Sequence, residues 1–265
     1  MTRVRQPAVA GLFYPADPRE LRETVRRALA AAEAEGPAPK ALIAPHAGYV
    51  YSGEVAASAY ARLAPVRDRV RRVVLIGPSH RVGFHGLAAS SAEAFATPLG
   101  LVSLDREAID ALLALPQVKI LDRAHAAEHS LEVHLPFLQV ILESFRLVPL
   151  AAGDASAEEV AEVLDRVWGG PETLIVVSSD LSHYLDYHAA RRIDEATCRA
   201  IERLRWEEIG EDQACGRIGV SGLLEAARRR GLQARTVDLR NSGDTAGSRD
   251  EVVGYGAWVF EEGSP

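Results

Sequence analysis

Histidines and acidic residues follow the ends of four short apolar segments of the chain. They lie in the stretches PHAGY, GPSH, SSDLSH and NSGD, and the residues concerned are His46, His80, Asp180, His183 and Asp244. In an open parallel α/β sheet, ligands bind beyond the carboxyl ends of the strands. A lone histidine is more often satisfied by a neighbouring carbonyl, but the common placement of these residues favours one shared site.

The ligand types at these positions suit a transition metal. Imidazole nitrogens combined with a carboxylate bind Fe, Mn or Zn, and two histidines with one carboxylate leave open positions for oxygen or substrate. That arrangement is typical of non-haem Fe(II) oxygenases. We therefore predict a metal site formed by His46, His80 and Asp244. Fe(II) is the first candidate ion, and Zn or Cu are the alternatives.

His183 follows Asp180 by three residues, as an acid/base histidine oriented by a carboxylate would. The alternative is that Asp180 caps a helix that begins near Leu181. The first interpretation gives the pocket a group that moves protons beside the metal.

A second group of titratable residues lies in EHSLEVHLPF, residues 128–137. If this stretch is helical, His125 and His129 share a face as a zinc pair could, but H-E-x-x-H is absent and Pro136 predicts a kink. We interpret the group as support for the metal pocket, with His129 among its catalytic residues, and an independent metal site as the alternative. The pattern assigns no individual role to Glu128, Glu132 or His134.

Strand and helix patterns alternate along the chain and predict how these residues are positioned. Asp17 is predicted to cap a first helix that ends at about Ala34. The predicted strands are 41–44, 73–76, 146–150, 174–177, 236–239 and 252–260, and the predicted helices are 106–115, 131–143, 157–167, 190–204 and 221–230. This order predicts one α/β domain over residues 1–265, with a mostly parallel, mixed sheet, helices on both faces and an antiparallel last strand.

Composition excludes several classes of protein. A net charge of −7 argues against a nucleic-acid surface, because phosphate binding needs a basic field. Cys198 and Cys215 form no C-x-x-C pair, and we interpret both as core residues in a reducing compartment. No apolar run approaches the roughly 18 residues of a membrane span. We expect a soluble cytoplasmic protein.

Several stretches, in this order, resemble the Memo family across nearly the whole chain. They are RQPAVAG with FYP, APHAGYVYSG, GPSH, EHSLEVHLPFLQ, SSDLSH, and NSGD before VVGYGA. Bacterial and archaeal members are also called the B component of the AmmeMemoRadiSam system, and their fold is similar to that of class III extradiol dioxygenases. The resemblance implies that His46 and His80 are metal or active-site histidines, and that Asp180 and His183 line the same cleft. It places Asp244 at the third ligand position, where animal members carry a cysteine.

Three functions are open at this point. The first is a non-haem Fe(II) redox enzyme, dioxygenase-like, that acts on a small substrate. The second is a non-catalytic protein that binds a peptide or partner and serves a radical-SAM modification system. The third is zinc-assisted hydrolysis.

Overall fold

The computed structural model describes residues 3–263 and shows a mixed α/β fold with twelve strands and eight α-helices in that range. The strands are β1 (Val4–Arg5), β2 (Ala41–Ala44), β3 (Arg72–Pro78), β4 (Leu87–Ala89), β5 (Ala94–Thr97), β6 (Gly100–Ser103), β7 (Val118–Ile120), β8 (Arg146–Ala152), β9 (Thr173–Ser178), β10 (His183–Leu185), β11 (Leu232–Asn241) and β12 (Val252–Glu262). The helices are α1 (Pro18–Ala31), α2 (Tyr49–Tyr60), α3 (Arg106–Leu112), α4 (Arg123–Ala126), α5 (Leu135–Ile141), α6 (Ala157–Val167), α7 (Tyr187–Glu202) and α8 (Arg217–Arg230).

Nine of these strands form one sheet, in the order β10-β12-β2-β9-β3-β8-β4-β7, with β11 paired to β12. The four strands β2, β9, β3 and β8 run parallel, whereas β12 pairs antiparallel with β2, β10 and β11. The parallel strands are buried almost throughout, which explains their unalternating apolar sequences. A smaller sheet has the order β1-β5-β6.

Two groups of helices pack against the large sheet. Helix α8 contacts β3 and β9 and packs on α6, while α2 contacts β2, β11 and β12 and packs on α1. The contact between α8 and the sheet is close, because a Cβ at Gly219 would lie 3.0 Å from Ile76. No helix within residues 3–263 is long and apolar enough to cross a membrane.

The predicted mixed sheet is confirmed, and so is each of the six predicted strands. Asp17 caps α1 by accepting hydrogen bonds from the backbone of Arg19 and Glu20, although the helix ends at Ala31 rather than near Ala34. The predicted helix 157–167 is confirmed with its bounds. Helix α2 was not predicted, because it is buried around most of its circumference and so lacks a one-sided apolar pattern.

Candidate functional site

Three neighbouring parallel strands deliver the central residues of the candidate site. Strands β2, β9 and β3 are adjacent, and His46, Asp180 and His80 each lie two residues beyond the carboxyl end of one of them. The structure brings the two histidines together, with 5.1 Å between their ring centroids. Their meeting at one sheet edge agrees with the expectation from sequence.

His46 is buried, and its tautomer follows from its hydrogen bonds. Its Nδ1 lies 2.6 Å from the Ser178 hydroxyl, and that hydroxyl donates its proton to the Ser130 carbonyl at 2.6 Å. Since the Ser178 proton is used there, Nδ1 of His46 must carry the hydrogen and donate it to Ser178. Burial, followed by the nearby rings of His80 and His129, holds the pKa of His46 well below its usual value. The ring is therefore neutral, and its Nε2 carries the lone pair.

His80 is also held through its Nδ1, but by a carboxylate. Its Nδ1 donates to Glu128 at 2.9 Å, and its backbone N–H donates to the other oxygen of Glu128 at 2.6 Å. Glu128 also accepts the backbone N–H groups of His129 and Ser130. Burial raises the pKa of Glu128, but the hydrogen bonds from His80 and Ser130 outweigh it and lower the pKa to about 2. Glu128 is thus an ionised acceptor that fixes the His80 ring, whose side chain is 30% exposed.

His129 completes a cluster of three rings. It stacks on His80 with the centroids 4.8 Å apart, and its centroid lies 5.5 Å from that of His46. The ring of Phe13, from the N-terminal segment, packs against His129 at 4.7 Å. Burial lowers the pKa of His129, which favours its neutral form.

Cys215 lies closer to His46 than the sequence indicated. Its Sγ is 3.4 Å from Nε2 of His46 and accepts the backbone N–H of Asp180 at 3.3 Å. The ligand atoms of His46, His80 and Cys215 all lie within 4.8 Å of one another. Burial, followed by the charge of Asp180, raises the pKa of the Cys215 thiol.

The interpretation of both cysteines as core residues fits Cys198 and is wrong for Cys215. Cys198 is buried on α7, whereas Cys215 is partly exposed at the edge of the histidine cluster. The glycine directly after Cys215 was the sequence signal for this close approach. Gly216 is the N-cap of α8, and a side chain there would collide with the Ser178 carbonyl. The predicted helix began four residues too late, at Ser221, which left Cys215 in a loop of no apparent function.

The structure does not bring Asp244 into this group of ligand atoms. Asp244 lies in a 3₁₀ turn after β11, where its carboxylate accepts hydrogen bonds from the Tyr187 hydroxyl at 2.6 Å and the Asn241 backbone at 3.1 Å. Strand β12 separates β11 from β2, so these two strands lie about 10 Å apart at roughly 4.8 Å per strand spacing. The sequence showed that Asp244 follows a strand but could not show the strand order, and the expected third ligand is displaced from His46 and His80 for that reason.

Asp180 lies beside His46 and is buried. One of its carboxylate oxygens accepts the backbone N–H of His46 at 2.7 Å, and the other lies 3.9 Å from Nε2 of the same residue. Because His46 is neutral, the second contact is not an ion pair. Burial raises the pKa of Asp180 above its usual value.

His183 is the first residue of β10 and pairs with Val253 of β12. Among residues 3–263, no hydrogen bond or ion pair joins its side chain to Asp180. The alternative in which Asp180 caps a helix is wrong, because residues 179–182 are not helical and α7 begins at Tyr187 under a cap from Asp186.

Glu132 serves the N-terminal segment instead of the cluster. It is fully buried, pairs with the guanidinium of Arg5, and accepts the backbone N–H groups of Ala8 and Val9. It also accepts the hydroxyl proton of Tyr14 at 2.5 Å. These bonds hold the segment that places Phe13 against His129.

His134 and His125 make their hydrogen bonds outside the cluster. His134 is buried with its Nδ1 2.8 Å from the Tyr60 hydroxyl, and Nε2 of His125 bonds the Ala88 carbonyl at 2.9 Å. Helix α4 ends at Ala126, so His125 and His129 do not share a helix face. The structure therefore gives no support to an independent His125–His129 metal pair.

A cavity of about 690 Å³ lies next to the cluster. Phe13 belongs to its wall and also packs on His129, so the cavity and the three rings share this side chain. The other lining residues include the aromatic side chains Tyr14, Tyr49, Tyr51 and Phe137 and the charged side chains Arg27, Glu54 and Asp244.

Comparison with known proteins decides the family. The model of the family described as "Memo-like protein" matches residues 5–259. The chain belongs to the Memo family. A MEMO1 family protein of Aquifex aeolicus is 37% identical over 269 residues, which cover 97% of this chain and 99% of that protein. Memo relatives from Archaeoglobus fulgidus and Thermotoga neapolitana are 35% and 37% identical, over 97% and 95% of this Memo chain and 99% and 98% of their own lengths.

A solved structure supports the fold of this Memo chain. The crystal structure of an uncharacterized protein from Escherichia coli K12 matches with a TM-score of 0.51 and 13% sequence identity, over 81% of this chain and 98% of that one. At this identity the likeness concerns the fold alone.

Proposed function

We propose that the protein binds one transition-metal ion through Nε2 of His46 and Nε2 of His80, and that it is a dioxygenase-like redox enzyme for a small substrate, with Fe(II) as its ion. The observation that supports this is the hydrogen bonding of the two imidazole rings. In both, Nδ1 donates its hydrogen, to Ser178 in one case and to Glu128 in the other, so that Nε2 is the ring nitrogen left to bind a metal.

The residues present fit such an ion. Metal-bound histidines usually donate the other ring N–H to a carboxylate or another fixed acceptor, which sets the tautomer and the ring orientation. Glu128 and Ser178 occupy these positions, and the neutral state of His46 is the one that can coordinate a metal. A bound Fe(II) would supply Lewis acidity and one-electron chemistry toward oxygen or substrate.

Three further side chains are proposed to hold or move protons. Asp180, whose pKa burial raises, is proposed to take up and release a proton beside His46, and His129, whose pKa burial lowers, is proposed to accept one. His183 lies on β10, which pairs with β12, and is proposed as the group that exchanges protons with solvent. General acid–base catalysis requires such groups within reach of the reacting atoms.

The aromatic cavity is proposed to receive the substrate. Its volume suits a small organic molecule. Phe13, which packs on His129, belongs to its wall, and its charged lining residues are Arg27, Glu54 and Asp244.

Metal analysis after anaerobic purification with iron supplied tests the proposal. We expect about one ion per chain, and loss of that ion in His46→Ala and in His80→Ala. The matched control is His85→Ala, since His85 is exposed and pairs only with Asp154. A wild-type protein that retains no metal, or two histidine variants that retain it fully, would overturn the proposal. Oxygen uptake with a panel of small diols then tests the redox activity.

A second candidate function is that of a protein that binds a peptide or partner, such as one of a radical-SAM modification system. It is favoured by the exposed apolar side chains of the cavity lining, Leu12 at 80% exposure and Val50 at 69%. This function predicts no oxygen uptake with any diol and a stable complex with a partner protein that Leu12→Glu weakens. The metal-dependent enzyme, in contrast, predicts oxygen uptake with a diol of the panel.

A further inference from the structure

We infer that helix α1 carries a docking surface for an acidic segment of a partner protein. The surface is a groove of about 330 Å³ between α1 and the tip of the β5–β6 hairpin, here called the arginine groove. Its lining includes Arg19, Arg22 and Arg26 of the helix and Pro98 and Leu99 of the hairpin. None of the three clustered histidines lines it, so the inference does not rest on the proposed metal site.

The three arginines of the groove share one face of α1. At 3.6 residues per turn they fall within about 60° of the helix circumference. The buried residues of the helix, Leu21 and Val25, occupy a different sector. Helix α1 carries four arginines and two glutamates, so its local charge is positive although the chain has a net charge of −7. An acidic partner is therefore attracted to this helix and repelled by the average surface.

The guanidinium groups of the groove have no acidic partner of their own. In the part of the chain that the structure describes, no ion pair and no side-chain hydrogen bond involves any of the three. The four-residue spacing that pairs Arg106 with Asp110 at 3.3 Å also separates Arg19 from Glu23, yet those two do not pair. The three groups are thus available to carboxylates from another molecule, which arginine binds in bidentate geometry.

The hairpin makes the groove better suited to a protein than to a small anion. Pro98 and Leu99 are partly buried and form its apolar wall, and Leu101, two residues further along, is 62% exposed on β6. Arginine and apolar side chains together are typical of protein–protein interfaces. Glu23 also belongs to the lining, and its carboxylate disfavours a compact polyanion such as phosphate.

The spacing of the arginines matches an extended acidic segment. At a rise of 1.5 Å per residue, Arg19 and Arg26 are separated by about 10.5 Å along the helix axis. Three acidic residues at alternate positions of an extended chain face the same side and span about 13 Å. Long arginine side chains bridge a difference of this size. The segment expected in the groove therefore has three carboxylates at alternate positions and apolar residues that contact the hairpin.

Helix α1 also borders the large aromatic cavity. Thr24, Arg27 and Ala28 of the same helix line that cavity. A partner in the arginine groove is thus held beside the cavity without filling it. Docking and metal binding are therefore separable, and a variant of the groove should keep the metal content of wild type.

Fluorescence anisotropy with a labelled peptide tests the inference. The probe is a short peptide with three glutamates at alternate positions and a leucine at each end, and the control peptide has glutamine in place of each glutamate. We expect wild type to bind the acidic probe and not the control peptide. The triple variant Arg19→Gln/Arg22→Gln/Arg26→Gln should bind the probe about tenfold or more weakly, since exposed charge pairs are weak singly and act together. Circular dichroism should show this variant folded, because the three side chains are exposed.

The triple variant Arg192→Gln/Arg199→Gln/Arg203→Gln is the matched control. These arginines are exposed on one face of α7 and its C-cap, and they do not line the groove. The control changes the net charge by the same amount and should keep the wild-type affinity. Equal weakening in the two triple variants would mean that the probe responds to net charge alone, and would overturn the inference. So would a wild type that binds the acidic probe no better than the glutamine peptide.

Two further measurements distinguish a protein segment from a small anion. Leu101→Asp should weaken binding of the probe, because it removes an exposed apolar contact and adds a like charge. Equimolar inorganic pyrophosphate should leave the probe bound. Displacement by pyrophosphate would identify the groove as a site for a small phosphate ligand and would contradict a protein partner, as would unchanged binding in Leu101→Asp.

Discussion

Glu128 and Glu132 lie four residues apart in one motif, both are buried, and they serve different regions of the molecule. Glu128 accepts hydrogen bonds from His80 and from the backbone of His129 and Ser130, all at the candidate site. Glu132 accepts bonds from the N-terminal segment, with Arg5 as its counter-charge. Residue type and motif are the same for the two carboxylates. Only their hydrogen-bond partners show that Glu128 belongs to the candidate site and that Glu132 stabilises the fold.

The largest expected effect is on stability, at Glu132. Glu132→Gln removes the charge that balances the buried guanidinium of Arg5, and breaking a buried ion pair typically costs 3–5 kcal/mol. We expect a loss of about that size in the free energy of unfolding, measured by urea denaturation. Glu143→Gln is the control, because its 3.9 Å pair with Arg67 is exposed and contributes about 0–1 kcal/mol. A loss in Glu132→Gln no larger than in this control would contradict the anchoring role.

Glu128→Gln is expected to act mainly on metal affinity. The amide keeps the shape of the side chain but weakens the hold on Nδ1 of His80, and substitutions of this kind typically weaken metal binding 10- to 100-fold. Competition with a chromogenic chelator measures the change. Folded Glu132→Gln protein should keep the wild-type affinity, since Glu132 contacts none of the three clustered histidines. Equal losses of metal affinity in the two variants would contradict the assignment of Glu128 to the site and of Glu132 to the N-terminal segment.

Much of the framework of the site could be predicted from the sequence. The apolar segments that became β2, β3 and β9 were recognisable, and the residues that follow them include His46, His80 and Asp180. That part succeeded because parallel strands end at a common edge. The structure adds their order, β2-β9-β3, which makes them immediate neighbours.

What the sequence could not show depended on contacts between distant segments. Asp244 follows a strand as His46 does, yet β12 lies between β11 and β2, and strand order is not written in local pattern. Cys215 approaches His46 only because Gly216 lets the start of α8 touch the end of β9. Glu128 and Glu132 could not be distinguished because their partners, His80 and Arg5, are 48 and 127 residues away.

The pH dependence of stability tests the burial of His134, which lies outside the cluster of three rings. Burial lowers the pKa of His134 to about 3 in the folded protein, below the usual 6.5. The unfolded chain therefore binds a proton below pH 6.5 that the folded protein refuses, so stability falls as pH falls from 6.5 toward 3. Between pH 6.5 and 5 this one group contributes a loss of about 2 kcal/mol.

His134→Gln should remove that part of the dependence. The amide can still bond the Tyr60 hydroxyl, and it does not titrate in this range. Urea denaturation at pH 6.5 and pH 5, for the variant and for wild type, measures the difference. Superimposable pH dependences would show that protonation of His134 is not opposed by the fold.

Ser178→Ala is expected to give the smallest change and tests whether a neutral hydroxyl orients a ligand as Glu128 does. The substitution removes the acceptor for Nδ1 of His46, so that either ring nitrogen can carry the hydrogen. A neutral hydrogen bond contributes about 1 kcal/mol, which is roughly a fivefold change in an equilibrium constant. We therefore expect metal affinity to fall about fivefold, less than in Glu128→Gln, because an ionised acceptor makes the stronger bond. Chelator competition under the same conditions ranks the two variants. A larger loss in Ser178→Ala would mean that His46, and not His80, depends more on its supporting partner.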